Sequence, residues 1–168
     1  MYLPLPPPFE KYPCRIVQDL PLYRYVPGLY PHPIKHPQGH SFQRVLKGEW
    51  SEGLEWQKDS IWLEGLDLFD NRFYWEAHEV WEFRWKQVAD PYRSVLQAMI
   101  LSAASLLQKH MGRDRIADKS WIKARSLLLC AGQSVTNVGV DLEKFIFDMD
   151  GALKDGGWPV VQSCRSMD

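Results

Sequence analysis

Proline is concentrated in the first quarter of this chain, and that limits what the segment can form. Ten of the twelve prolines lie within residues 1–40. Proline fixes φ, lacks an N–H donor and disfavours helix at the residue before it, so this segment is predicted to be extended and irregular. It also carries too many apolar side chains for a solvated tail, namely Tyr2, Phe9, Tyr12, Tyr23, Tyr25, Val26 and Tyr30. We therefore expect an arm, residues 1–40, packed on the rest of the protein; a leader ordered only in part is the alternative, chiefly for residues 1–12.

After residue 40 the apolar pattern becomes helical. A first stripe runs from Trp56 to Leu68, and a second helix is predicted over residues 73–88, capped by Asp70 or Asn71. A third helix begins after residues 90–91, an Asp-Pro pair of the kind that starts helices. The short connection before it predicts that the second and third helices form an antiparallel hairpin.

Two further helices complete the predicted architecture. One ends near Gly132, and Asp141 caps the last. No alternating pattern long enough for a strand is present. The predicted fold is therefore all-α, a small bundle of about five helices with the irregular Pro-rich arm packed on it. The expected organisation is an arm over residues 1–40, a helical bundle over 41–155 and an irregular tail over 156–168.

Charge and cysteine content narrow the possible partners and compartment. The 168 residues include 20 Lys and Arg against 21 Asp and Glu, a balance that offers no attraction for nucleic acid or an anionic membrane. The longest apolar-rich stretch, residues 95–107, is too short to cross a bilayer. Three cysteines without a CxxC pair suit a reducing compartment, and the N-terminus lacks the features of a signal peptide. We expect a cytoplasmic protein that binds neither nucleic acid nor membrane.

The residues richest in potential chemistry are those from Tyr74 to Glu82. On a helix, His78 and Glu82 lie four residues apart on one face. Three interpretations remain open for the pair: a structural hydrogen bond, a catalytic or ligand-binding couple, and a metal site. A divalent metal is the one cofactor left open, with His78 and Glu82 as ligands, and further ligands would have to come from Glu79 or from histidines of the arm, since zinc usually takes four.

Other side chains are expected around this pair. Trp75 and Trp81 are predicted to lie on its face, and the arm is predicted to bring His32 and His40 toward it. Cys130 follows three leucines and is predicted to be an inert core residue. No catalytic residue is assigned. The candidate ligand-binding residues are His78, Glu79, Glu82, Glu76, Tyr74, Trp75, Trp85, Gln97, His32 and His40.

The segment from Phe69 to Glu82, followed by Trp85, resembles the signature of the domain-of-unknown-function 309 family, F-N-x-G-x-Y-[aromatic]-E-A-H-E-x-[aromatic or aliphatic]-E-x-x-W. A second block, residues 96–101, is similar to its L-Q-G-L-I-Q. The resemblance implies a small all-helical bundle, often an intracellular dimer, with no established activity. The chain departs from the pattern at Asp70, Arg72, Ala98 and Leu101.

The leading functional interpretation is a cytoplasmic helical module with an aromatic and ionic crevice around His78 and Glu82. The crevice would bind a small ligand or a partner segment. A homodimer is expected, with residues 91–111 near its interface. The alternatives are a metal-assisted or acid–base hydrolase that uses His78, Glu79 and Glu82, and a purely structural partner subunit. Whether the protein is an enzyme stays open.

Overall fold

The structure, a computed structural model, describes residues 12–50, 55–132, 134–135 and 138–161. This part of the chain holds five α-helices and a short 3₁₀ helix, and no strand, which confirms the predicted all-α fold. The 3₁₀ helix is Trp56–Lys58, and the α-helices are α1 Ser60–Asp70, α2 Tyr74–Trp85, α3 Tyr92–His110, α4 Asp114–Ala131 and α5 Leu142–Asp155. None of the described helices combines the length and the apolarity needed to cross a lipid bilayer.

The longest helix, α3, is the centre of the bundle. It packs against α2 on one side and α4 on the other, while α1 packs on α2 and α5 packs on α4 and α3. The core between them is built from side chains with almost no exposed surface, including Phe69, Trp81, Met99, Leu106 and Met149. Because α3 is flanked by two helices of its own chain, much of its surface is already buried.

A glycine inside α1 permits the closest contact with α2. A Cβ atom at Gly65 would lie 2.0 Å from the Nε1 atom of Trp81, so no other residue fits without moving the indole. Trp81 is fully buried, and its N–H donates to the carbonyl of Trp62 at 3.3 Å. The glycine therefore makes room in the core for the indole of Trp81.

An ion pair between Asp59 and Arg84 also joins α1 and α2. Both side chains are nearly inaccessible, at 3% and 2% exposure. The guanidinium is bidentate, with Nε 2.9 Å from Oδ2 and Nη2 2.8 Å from Oδ1. The same carboxylate caps α1 by accepting from the N–H of Ile61. One buried aspartate thus fixes both the start of α1 and its attachment to α2.

The predicted cap of α2 is wrong, because the arm and the tail use those residues. Asp70 still belongs to α1 and binds Val161 of the C-terminal tail and Arg15 of the arm. Asn71 accepts from the N–H of Tyr12. Helix α2 begins after Phe73 with no side-chain cap. The predicted cap of α5 by Asp141 is confirmed, as is the end of α4 beside Gly132.

The described part of the arm packs on α1 and α2, as predicted. Asp67 is fully buried and accepts from three successive backbone N–H groups, those of Arg15, Ile16 and Val17, at 2.8–3.0 Å. Tyr2, Phe9 and the rest of residues 1–11 lie outside the described residues, as do residues 162–168 of the predicted tail. The irregular backbone continues past residue 40 to Trp50, before the gap that precedes the 3₁₀ helix.

The prediction that Cys130 is a core residue is wrong, since its side chain is exposed. Helix α4 lies at the edge of the bundle and buries one narrow stripe, which consists of Ala117, Trp121, Ala124, Leu128 and Ala131. The leucine run before Cys130 does not mark a buried face, because Leu129 is half exposed.

Candidate ligand-binding site

The buried face of α2 differs from the predicted one. Tyr74 and Trp81 point into the core, at 2% and 0% exposure, and not toward the surface that carries His78. Tyr74 packs edge-on against Phe69, and its hydroxyl has no hydrogen-bond partner within the described ranges. Burial raises the pKa of this hydroxyl well above the usual range. The expectation that Trp81 flanks the His78–Glu82 pair is therefore wrong, because α2 uses this indole to pack against α1.

His78, Glu79 and Glu82 form a partly exposed cluster on the outer face of α2. The Nδ1 atom of His78 lies 3.4 Å from Oε1 of Glu79, and its Nε2 atom lies 4.0 Å from Oε2 of Glu82. The second distance is longer than a hydrogen bond. The hydrogen bond from His78 lowers the pKa of Glu79, against the effect of partial burial. Ligand atoms from all three residues lie within 4.8 Å of one another.

The arm brings His40 to Glu76 and not, as was expected, to the face of α2 that carries His78 and Glu82. The Nε2 atom of His40 lies 2.9 Å from Oε1 of Glu76, and both side chains are buried, at 3% and 6% exposure. The same oxygen accepts from the N–H of Tyr25 at 2.9 Å. Glu76 and His78 are two residues apart on a helix and face different ways. His40 therefore cannot serve both.

His32 approaches α2 on the side of Glu79. Its ring meets Trp75 edge-on, with centroids 5.3 Å apart. Its Nδ1 atom accepts from the N–H groups of Ile34 and Lys35. In the neutral ring Nε2 must then carry the proton, so His32 in this position donates and does not ligate a metal.

A tight turn over residues 33–41 sets the position of His40. The N–H of Ser41 donates to the carbonyl of Pro33 at 3.1 Å, and the N–H of Gly39 donates to the carbonyl of His36 at 2.8 Å. A Cβ atom at Gly39 would lie 2.2 Å from the Pro33 carbonyl oxygen, so the turn closes only with glycine there. The ring of Tyr23 packs edge-on against His40, with centroids 4.6 Å apart.

Between the arm and α2 lies a cavity of about 330 Å³, here called the arm cavity. Its walls are mainly apolar, with two carboxylates, one guanidinium and one hydroxyl among them. The lining residues are Pro21, Ile34, Ser41, Arg44, Val45, Leu46, Leu68, Trp75, Glu76, Glu79, Val80 and Phe83. The guanidinium, of Arg44, is bonded to Glu64 at 2.6 Å. The Oε2 atom of Glu76 is buried and has no hydrogen-bond partner among the described residues.

The candidate residues proposed from sequence separate into two groups around this cavity. Trp75, Glu76 and Glu79 line it. The other candidates do not, namely Tyr74, His78, Glu82, Trp85, Gln97, His32 and His40. Trp85 carries the guanidinium of Arg93 4.0 Å above its ring, and Gln97 is half-buried on α3.

Sequence reasoning missed Ser41 and Arg44 as lining residues. Neither belongs to a chemical motif, and both reach the cavity only because the turn closed by Gly39 folds the arm back onto α2. The glycine between two polar residues was the only local signal, and it marks a turn without saying what the turn approaches.

Residues 62–119 match the model of the family described as Domain of unknown function (DUF309). The family predicted from the E-A-H-E motif is thereby confirmed for this segment. The matched segment covers most of α1, all of α2 and α3 and the start of α4, and it leaves out the arm and α5. The arm cavity thus has one wall inside the matched segment and one wall outside it. No curated protein and no solved structure matches the chain.

Proposed function

We propose that the arm cavity binds a small, largely apolar molecule that carries a positively charged or hydrogen-bond-donating group. The observation that carries the proposal is Glu76, a buried carboxylate among the lining residues whose Oε2 atom has no hydrogen-bond partner in the described part of the chain. Leaving such an acceptor unpaired costs about 1–3 kcal/mol. A ligand that donates to it would recover that energy. The proposal keeps the predicted ligand crevice and moves its centre from His78 and Glu82 to Glu76.

Size and charge support this class of ligand. A volume of about 330 Å³ is at the lower end of the range of about 300–1,000 Å³ for small-molecule sites. Trp75 and Phe83 offer aromatic surface, which attracts organic cations. Glu76 and Glu79 supply negative charge, whereas the positive charge of Arg44 is engaged by Glu64. A primary ammonium group on a short apolar chain satisfies all three features.

Calorimetric titration with hexylammonium tests the proposal, with hexanol and hexanoate as neutral and anionic counterparts. Hexylammonium should bind most tightly and hexanoate least. Glu76→Gln should weaken hexylammonium binding about tenfold or more, because a charge-assisted hydrogen bond is lost. Gln can still accept from the N–H of Tyr25 through its Oε1 atom. Glu143→Gln, at an exposed position on α5, should bind like the wild type. Equal binding of the three probes, or an unchanged affinity in Glu76→Gln, would refute the proposal.

A metal-assisted hydrolase remains the second candidate, and the cluster of His78, Glu79 and Glu82 favours it. One imidazole and two carboxylates within 4.8 Å of one another form a ligand set that suits divalent zinc, manganese or iron and leaves positions open for water and substrate. Glu82 also pairs with Lys86 at 3.0 Å, and a bound ion would compete with that lysine.

Zinc titration of the protein, followed by calorimetry, tests this second candidate. His78→Ala should abolish zinc binding and change stability by less than about 1 kcal/mol, since exposed ion pairs contribute little. His36→Ala is the matched control, because His36 is exposed and distant in sequence from the cluster. Zinc binding that survives His78→Ala would exclude this cluster as the metal site, and a large loss of stability would favour a structural role for the pair.

We further propose that the protein is a cytoplasmic homodimer, as expected from sequence. The predicted interface on α3 is less available than expected, however, because α2 and α4 of the same chain pack against this helix. The exposed apolar side chains on the helices beside it include Ile122 and Leu129 of α4 and Phe147 of α5. Light scattering at micromolar concentration should report twice the mass of one chain. A single-chain mass throughout that range would refute the dimer.

A further inference from the structure

We propose that Ser41 is a nucleophile for acyl transfer in the arm cavity, activated by His40 and Glu76. The inference rests on the proposed function in one respect, since the cavity must admit a small molecule. It goes further by assigning a reaction to three residues, of which His40 lies in the arm and Ser41 directly follows it. The substrate class is a small ester with an apolar acyl group.

The three side chains form a continuous hydrogen-bonded chain. The Oγ atom of Ser41 lies 2.8 Å from Nδ1 of His40, and Nε2 of His40 lies 2.9 Å from Oε1 of Glu76. Nucleophile, base and orienting carboxylate stand in the order and at the separations that serine-based acyl transfer requires. The two ring nitrogens are exchanged relative to the usual serine triad, in which Nε2 faces the serine and Nδ1 the carboxylate, while the roles of base and orienting carboxylate are the same.

The protons are on the atoms where this chemistry needs them. Oε1 of Glu76 already accepts from the N–H of Tyr25, so it acts as an acceptor toward His40 as well. The Nε2 atom of His40 therefore carries the hydrogen. In the neutral ring Nδ1 is then the acceptor, and the hydroxyl of Ser41 donates to it. A neutral imidazole that accepts from the nucleophile is a general base ready to take its proton.

Burial and packing hold the chain of groups in place. The side chains of His40 and Glu76 are 3% and 6% exposed, so water does not compete for their hydrogen bond. Tyr23 packs against the imidazole ring, and the backbone of Ser41 is tied to Pro33 by the glycine turn. Ser41 and Glu76 both line the arm cavity, whereas His40 does not. The serine thus belongs to the wall of the cavity that would hold the substrate, and the base is bonded to its hydroxyl without lining the cavity itself.

The reaction can be written with these residues alone. Oγ of Ser41 attacks the ester carbonyl carbon while its proton moves to Nδ1 of His40, and Glu76 stabilises the imidazolium that results. The carbon–oxygen bond to the alcohol breaks, and the departing alkoxide takes the proton from Nδ1. Water then repeats the sequence on the acyl-serine and releases the acid.

Labelling with a fluorophosphonate tests the assignment, because a serine that merely caps a turn does not react with it. Intact-mass and peptide spectrometry of the folded wild-type protein should show one adduct on Ser41. Ser41→Ala should show none. His40→Gln should label at least about a hundredfold more slowly, as expected for loss of a general base. Ser126→Ala, at an exposed position on α4, should label like the wild type. Melting temperatures of all variants establish that they are folded.

The outcomes separate this inference from the proposed function. A wild-type protein that binds hexylammonium but forms no adduct on Ser41 overturns the nucleophile and leaves the ligand site standing. Labelling that persists in Ser41→Ala, or that is as fast in His40→Gln as in the wild type, also overturns it. An adduct on Ser41 without hexylammonium binding supports the nucleophile and refutes the proposed ligand class.

Discussion

Removing the imidazole of His40 should loosen the arm from α2. The substitution His40→Ala deletes the bond to Glu76, which joins a 3% exposed side chain to a carboxylate. A hydrogen bond to a charged group contributes about 1.5–3 kcal/mol. The ring contact with Tyr23 adds about 0.5–1 kcal/mol. Glu76 still accepts a hydrogen bond from the N–H of Tyr25, so the substitution does not leave its carboxylate without any donor. We expect a total loss of about 2–4 kcal/mol.

Urea unfolding of His40→Ala and of His36→Ala measures this loss against a matched control. His36 is an exposed histidine of the same turn, and its replacement should change the free energy of unfolding by about 0.5 kcal/mol or less. A double-mutant cycle with Glu76→Gln should give a coupling energy of at least about 1 kcal/mol for the pair. If His40→Ala is no more destabilising than His36→Ala, the hydrogen bond between His40 and Glu76 does not hold the arm against α2.

Three further substitutions test how the bundle is held together. Arg84→Met should lower the free energy of unfolding in urea by about 3–5 kcal/mol, because it leaves the carboxylate of Asp59 buried without its ionic partner. A loss below about 1 kcal/mol would contradict the buried ion pair. Gly65→Ala should lower the free energy of unfolding by about 1–3 kcal/mol, because the added methyl group overpacks against Trp81. A neutral or stabilising result would mean that α1 and α2 do not approach each other closely at Gly65. Burial raises the pKa of Asp70 from 3.8 to about 7, so the native state retains a proton that the unfolded chain releases. The stability linked to that proton is complete below about pH 4 and is lost as pH rises to about 7. The stability of the wild type relative to Asp70→Asn should therefore fall between about pH 4 and pH 7, and a constant difference would refute the raised pKa.

The helices could be predicted from the sequence, but the buried face of α2 could not. Apolar spacing located all five helices and the caps near Gly132 and Asp141. In α2 the buried face includes Glu76 and Arg84, which a reading of hydrophobicity assigns to solvent. Each is buried because a partner distant in sequence meets it, Asp59 for Arg84 and His40 for Glu76. A hydrophobic pattern carries no information about such partners.

The candidate site was predicted in part for the same reason. The motif contains the residues of α2 that line the cavity, Trp75, Glu76 and Glu79. The pairing of His40 with Glu76 spans 36 positions in the chain and depends on the turn closed by Gly39. Local spacing favoured His78 and Glu82 because they are neighbours on one helix, whereas the path of an irregular arm leaves no periodic trace.

A crystal structure of the protein soaked with hexylammonium tests the central claim most directly. The ammonium nitrogen should lie about 2.7–2.9 Å from Oε2 of Glu76. The alkyl chain should lie in the arm cavity against Trp75 and Phe83. An ammonium bound elsewhere would refute the arm cavity as the ligand site. A closed cavity in which a protein group donates a hydrogen bond to Oε2 of Glu76 would refute it as well.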